Sequence, residues 1–406
     1  MTLIASEKKI LRELAKKQME YAQSESNEKI IGLWYKHNAC EGERPMIALE
    51  MWTFEQEIIP KRLRCESESG REIEAALYRN FLNHELFRDD FPVPYYFPVH
   101  RNINMIPFGL AVEKQHARDS VGHKFEHHIE DLEDDFYKLG ESQIVDNGYS
   151  FEMEIINDIF GDILPVKQVM NCLYSVPTQD LVHIMSMETL YIAMLDCPDL
   201  FHEMMMRYTQ DTLKHFRYLE SENLLLPTNG NEQLGQGSWC FNRELRSEGA
   251  FKSTDLWGYM DSQETAAISP AMFEEFIFPY YKELAENFGL LSYGCCEPVH
   301  GIWDNCLSKL ENIRKVSVSP WCDEVLMGER LRGKSIVYHR KPSPNFIGVG
   351  RILDEDALRN NIKNTLRAAQ GCSLEITQRD VYTINQDEDK ARRYIEIIRE
   401  EVENNW

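Results

Sequence analysis

The sequence predicts a (β/α)8 barrel with an N-terminal helical extension. Three observations carry that expectation. Eight short apolar runs alternate with helix-patterned stretches. The helices whose ends can be read hand over to the next run within one or two residues. Residues 45–406 leave about 360 residues for the units, which suits a barrel with insertions better than an open doubly wound sheet.

Residues 1–44 form the extension. Apolar Ile10, Leu11, Leu14 and Met19 recur at helical spacing among charges, so this segment reads as one or two amphipathic helices, a lid or a docking arm. From Pro45 the pattern shortens. The strand candidates are PMIALEM (45–51), PYYFPVHRNI (94–103), VKQVMNCLYSV (166–176), LWGYMDSQ (256–263), GLLSYGCC (289–296), IRKVSVSP (313–320), SIVYHRKP (335–342) and CSLEITQRDV (372–381). Two intervening helices carry clear end signals. Ser269-Pro270, an N-cap with proline at the first helical position, opens AMFEEFIFPYYKELAENF, which Gly289 closes; Asp354 opens EDALRNNIKNTLRAAQ, which Gly371 stops. The polar stretch Glu113 to Asn147, centred on HKFEHHIEDLEDD, reads as an insertion on the rim, and 227–250 as a second. No repeat or low-complexity linker divides residues 45–406, so they are expected to be one catalytic domain.

Charge narrows the function. Of 406 residues, 67 are acidic and 44 basic, a formal net charge of −23 that repels phosphate backbones and anionic lipid heads. A small neutral or cationic substrate, or a protein partner with a basic patch, is expected instead of nucleic acid or membrane. No segment approaches the ~20 uninterrupted apolar residues of a membrane span, and a cytoplasmic location is expected. The ten cysteines are too thinly spread for a disulfide framework and should be reduced.

In a barrel of this kind the chemistry sits at the C-terminal ends of the strands. That rule collects Glu50, Trp52, His100, Arg101, Asp261, Gln263, Glu264, Ser319, Cys322, Asp323, Arg340, Lys341, Arg379 and Asp380, with LSYGCCEPVH (291–300) among them. Thiols, a carboxylate and an imidazole within six residues are the side-chain types that hold zinc. Strand alternation would put Tyr293, Cys295 and Glu297 on one face and Gly294 and Cys296 on the other. The remaining ligands would come from Asp380, Cys322, His300 or Glu264. Taken singly, Cys322 and Cys372 read as packing residues. His123, His127 and His128, at ligand spacing in a polar stretch, read as a solvated face; Gly235 and Gly237 in QLGQGSW lack the full phosphate-loop pattern and read as a turn.

With these residues in view, the chain resembles the uroporphyrinogen decarboxylase superfamily, in its corrinoid-linked (cobalamin-dependent) methyltransferase branch. The resemblance covers roughly residues 40–406 in strand order and rests on WGYMDSQE with SPAMFEEFIFPYY, YGCCEPVH, SVSPWCD, RKPSP and GCSLEITQRDVYT. It implies a zinc-dependent methyltransferase moving a methyl group between a small O-, N- or S-methyl compound and a corrinoid protein, or free corrinoid. The branch binds zinc through His-x-Cys at one strand end and Cys at the last. Here those places hold Tyr293-Gly294-Cys295 and Asp380, so the usual triad is not intact. The implied ligands are Cys295, Glu297 and Asp380, with Cys296 and His300 in reserve. Glu297, Asp380 and Tyr293 are the implied catalytic groups; Trp52, Gln263, Glu264, Ser319 and Lys341 would bind substrate. Porphyrinogen decarboxylation is disfavoured because the first strand end reads EMWTFEQE, without the arginines that would hold a polycarboxylate. Two rivals remain on the sequence: a metal-free decarboxylase or lyase using Asp380 or Glu297 as acid, and a non-catalytic partner scaffold for a corrinoid protein. A homodimer is compatible with either.

Overall fold

The computed structural model describes residues 5–112, 114–116 and 123–406. Its centre is a seven-stranded parallel sheet built from β1 (Met46–Leu49), β2 (Leu173–Tyr174), β3 (Trp257–Met260), β4 (Leu290–Tyr293), β5 (Ile313–Val318), β6 (Val337–Arg340) and β7 (Ser373–Gln378). The spatial order is β1-β7-β6-β5-β4-β3-β2, so the last strand returns beside the first. This is the barrel-like α/β arrangement expected from the alternating pattern. Every strand of this sheet lies inside a run named from sequence, but two runs behave differently from expectation.

The run 94–103 gives a ten-residue strand, Phe97–Ile106, that pairs in parallel with Val166–Val169 and antiparallel with Gln143–Tyr149. It therefore builds a separate three-stranded sheet. The run 166–176 breaks into Val166–Val169 and β2. Strand pairing does not close the ring between that sheet and β1 among the described residues. The free edge of β1 is satisfied another way: the amides of Ile47 and Leu49 each donate at 2.8 Å to the carboxylates of Asp90 and Asp89, and the Asp90 amide donates to the Ile47 carbonyl. Side-chain carboxylates thus blunt an edge that a neighbouring strand would otherwise occupy. Arg44 and Arg399 pair with Asp90 and keep it ionised although buried.

The helices follow local chemistry. Ser269 Oγ accepts from the Met272 amide, and the helix runs from Pro270 to Ala285 with residues 273–277 in a π turn. Pro279 cannot donate to the preceding turn, and the wider turn absorbs the lost bond. Gly289 acts through space: a β-carbon there would stand 2.5 Å from a Leu245 methyl and 2.6 Å from the Thr254 carbonyl oxygen. Asp354 caps Glu355–Ala368, and Gly371, at φ +80°, ends that unit as expected.

Residues 5–38 form two helices, α1 (Ala5–Ala22) and α2 (Glu25–Asn38). Leu11, Leu14 and Ala15 of α1 join the main core. Trp34 of α2 packs with Met46, Ala48, Trp239 and Phe241, so α2 covers the start of β1. No helix among the described residues is long and apolar enough to cross a membrane.

Candidate active site

Period-two alternation places one polar column on each of several strands, and these columns meet inside the sheet's curve. On β5 and just beyond it are Lys315, Ser317 and Ser319; on β6, His339 and then Lys341; on β7, Glu375, Thr377 and then Arg379; on β3, Tyr259 and then Asp261. The last member of each column stands at the C-terminal mouth, where Gly294 turns the chain after β4.

Gly294 has φ +101°, and a β-carbon on it would meet the Ser317 β-carbon at 3.0 Å, so the turn needs glycine. This turn corrects the alternation expected from sequence. The strand stops at Tyr293, and Cys295 and Cys296 share a face: their sulfurs are 3.6 Å apart. The Cys295 carbonyl accepts from Ser317 Oγ at 2.7 Å and from Lys341 Nζ at 3.3 Å, and the Gly294 carbonyl accepts from the same ammonium. Lys341 and Ser317 therefore fix the backbone that presents the thiols.

Arg379 completes the frame. Its Nη1 lies 3.4 Å from Cys295 Sγ, its Nε donates to Glu50 at 3.1 Å, and its Nη2 is 3.3 Å from Asp380. Gln236 bridges the two cations, its side-chain oxygen accepting from both Lys341 and Arg379. The Cys296 sulfur is 3.7 Å from Asp380 Oδ2. The Cys296 thiol as hydrogen-bond donor, with Lys341 and Arg379 outweighing burial, draws Cys295 down to about 6. Cys296 is pushed up by the adjacent Cys295 and by burial, and keeps its proton. The site holds one sulfur anion and one thiol side by side.

A second group lies deeper. Tyr259 donates to Asp261 Oδ2 at 2.7 Å, and Oδ1 of Asp261 is buried without a hydrogen-bond partner. Burial, with the nearby Glu297 and Cys295, pushes Asp261 well above the usual carboxylate range, so it is an acid held protonated. Tyr293 is buried and shares a 2.6 Å hydrogen bond with Ser262 Oγ, which makes it a wall of the site.

The remaining residues expected from sequence divide clearly. Glu297 is buried at the mouth, but its carboxylate accepts from the amides of Ser262 (2.9 Å) and Cys295 (2.8 Å) and so braces the turn. Ser319 donates to the Glu297 carbonyl and touches Cys322, supporting the same loop from below. Glu264 accepts from Thr178 at 2.9 Å, away from the thiols, and Gln263 precedes it in the same short turn. His300 Nδ1 accepts from the Asp323 amide at 3.3 Å. Trp52, 61% exposed, borders a cavity of about 160 Å³ lined also by Glu50, Phe91, Gly237 and Trp239. His100 and Arg101 line a cavity of about 420 Å³ between the three-stranded sheet and β2, which Tyr174 also lines. His127 and His128 are apart from the thiols, with His128 Nε2 2.8 Å from the Ala111 carbonyl; the His123 side chain lies outside the described residues.

The zinc set implied by the resemblance is not assembled. Among the described residues no three His, Cys, Asp or Glu side chains are grouped so as to hold a metal. Glu297 is engaged by amides, His300 by the Asp323 amide, and Cys295 is faced by a guanidinium.

Sequence reasoning missed Gln236 and gave no role to Arg379 or Tyr259. Gln236 sits at φ +57° between Gly235 and Gly237, at the tip of the hairpin Gln233–Gly235/Ser238–Trp239. The signal was the GQG tripeptide, a turn that aims one polar side chain.

No family model matches the sequence, and no curated protein matches it. Among solved structures, the fold is similar to that of a methyltransferase from Methanosarcina mazei, with a TM-score of 0.52 at 12% identity over 91% of this chain and 98% of that one. At that identity the likeness is one of fold.

Proposed function

We propose that the chain is a methyltransferase that moves a methyl group between a small methyl compound and a corrinoid carried by a partner protein. One observation carries the reading. The reactive sulfur of Cys295 stands at the C-terminal mouth, beside Arg379 and above a turn held by Lys341, on a scaffold similar to a methyltransferase over nearly its whole length. Thiolates and the groups that polarise them are the natural apparatus of methyl transfer, because sulfur is a soft nucleophile and a methyl group is a soft electrophile.

The mouth also suits a large partner. Trp52, Trp321, Val325, Val349, Ile352 and Tyr382 are exposed, and all lie on loops or helix starts that follow β1, β5, β6 and β7. We read these strand-end side chains as the surface that a carrier protein would meet. Arg379 and Lys341 steady negative charge on sulfur, Tyr293 walls the site, and Asp261 holds a proton within the site.

The test is methyl transfer itself. Purified protein would be mixed with reduced corrinoid and a panel of O-, N- and S-methyl compounds, and methylcobalamin formation followed by its absorbance, with and without added zinc. At least one donor should react, and Cys295→Ala should abolish the reaction while leaving the circular dichroism spectrum unchanged. A folded protein that methylates no corrinoid from any donor class, or an unaffected Cys295→Ala, would refute the reading.

A further inference from the structure

Cys295 and Cys296 are adjacent in sequence, yet their sulfurs are 3.6 Å apart because Gly294 breaks the strand before them. Both are free thiols. Cys295 is buried and Cys296 is half-buried toward the mouth, so a small reagent meets the pair from one side. Their neighbours favour sulfur chemistry without a metal. Glu297, the nearest carboxylate in sequence, is engaged by two backbone amides, while Arg379 Nη1 lies 3.4 Å from Cys295 Sγ. A guanidinium in that position stabilises a sulfur anion, whether it attacks or leaves.

We propose that Cys295–Cys296 is a reversible modification site that closes to a vicinal disulfide by exchange with a small oxidised disulfide of the glutathione type. Cys295 Sγ attacks one sulfur of the reagent, forming a mixed disulfide and releasing one thiolate. Cys296 loses its proton toward Asp380 Oδ2, 3.7 Å away. Its sulfur then attacks Cys295 Sγ, breaking the mixed disulfide and releasing the second thiolate. Two protein sulfurs are oxidised and one reagent disulfide is reduced; one released thiolate takes the Cys296 proton and the other takes a proton from water.

The geometry also makes the bond easy to reverse. Neighbouring α-carbons are separated by about 3.8 Å across a trans peptide, below the roughly 4.4–6.8 Å of ordinary disulfides. The ring is strained, and strained disulfides are the readily reduced, regulatory kind. The consequence for activity, loss of the mouth thiolate on oxidation, rests on the function proposed above; the modification itself does not.

The experiment uses the full chain, with bound metal measured first. After incubation with oxidised glutathione, tandem mass spectrometry would follow the tryptic peptide Glu283–Lys309, which also contains Cys306. The expected product lacks two hydrogens, links Cys295 to Cys296, leaves Cys306 open to alkylation, and reverts with dithiothreitol. Cys296→Ser should stop at a stable glutathione adduct on Cys295. Two glutathione adducts without closure, no modification of folded protein, or closure only after stoichiometric zinc is stripped would each overturn the proposal. Because the readout is mass, failure of methyl transfer leaves this result standing, and the converse holds too.

Discussion

Two charged clusters occupy the same interior columns of the sheet, one near the strand starts and one at the mouth. In the lower cluster Lys315 Nζ lies 2.7 Å from Glu375 and 2.7 Å from Ser238 Oγ, His37 of α2 is 3.1 Å from Glu375, and the ammonium stands 5.3 Å from the Trp34 ring centre. Lys315 and Glu375 are fully buried. Against its burial, His339, Lys315 and His37 hold Glu375 well below the usual carboxylate range. In the upper cluster anions outnumber cations: Cys295, Glu297, Asp380 and Glu50 surround Lys341 and Arg379, with Asp261 protonated beside them. The lower cluster is matched and covered by a helix. The upper one is unmatched and opens to solvent through Cys296 and Asp380. Buried charge alone therefore does not mark a site here; charge in excess beside an opening does.

The comparison can be broken at either end. The largest effect expected is on stability at the lower cluster: Glu375→Ala leaves Lys315 buried without its counterion and should cost about 3–5 kcal/mol in urea unfolding. A cost below about 1 kcal/mol would mean that water reaches that cluster, and its contrast with the mouth would fail.

At the mouth the expected losses are in reactivity. Arg379→Gln should slow methyl transfer by roughly ten- to a hundredfold, by removing the cation beside the reacting sulfur, with little change in the unfolding midpoint. An equal loss of stability would make Arg379 a structural partner of the kind seen below.

The two ends also differ in their response to pH. The Cys295 thiolate, favoured in the fold down to about 6, should be alkylated by iodoacetamide with a rate that rises through that pH and is flat by neutrality. The anion is the reactive form, so the rate falls as pH drops below that value. A midpoint near that of a free thiol, about 8.5, would remove the polarised sulfur from the site. In Arg379→Gln the midpoint should move upward.

The smallest effect expected is at the rim. Trp321→Ala should weaken transfer to a protein-bound corrinoid by a few fold and leave transfer to free cobalamin unchanged, since a single rim side chain supplies only part of an association surface. Equal loss on both acceptors would place Trp321 in the site and not at an interface.

Much of this was legible in the sequence. Seven of the eight runs located the strands of the central sheet, Ser269-Pro270 and Asp354 marked real helix caps, and the strand-end rule gathered Lys341, Arg379 and Asp380 near GCCEPVH, while Gln143–Tyr149 and the hairpin at 233–239 fell in stretches read as insertions. Those features are local: apolar period, capping oxygen and position along a strand are properties of short segments. The three-stranded sheet at 97–106 was not legible, because which edge a strand joins depends on what already occupies that edge, here Asp89 and Asp90 on β1.

The same division runs through the site. The sequence by itself determined which groups stand at the mouth, since period two and strand length decide which side chains end a column. Only the tertiary structure decided what those groups are to one another. Glu297 turns from a ligand candidate into a brace because two amides from separate segments reach it, and Gln236 enters from a hairpin to join two cations. The two thiols share a face because Ser317 and Val299 crowd around Gly294 in a turn that only glycine makes easily. Such relations are set by contacts between segments far apart in the chain.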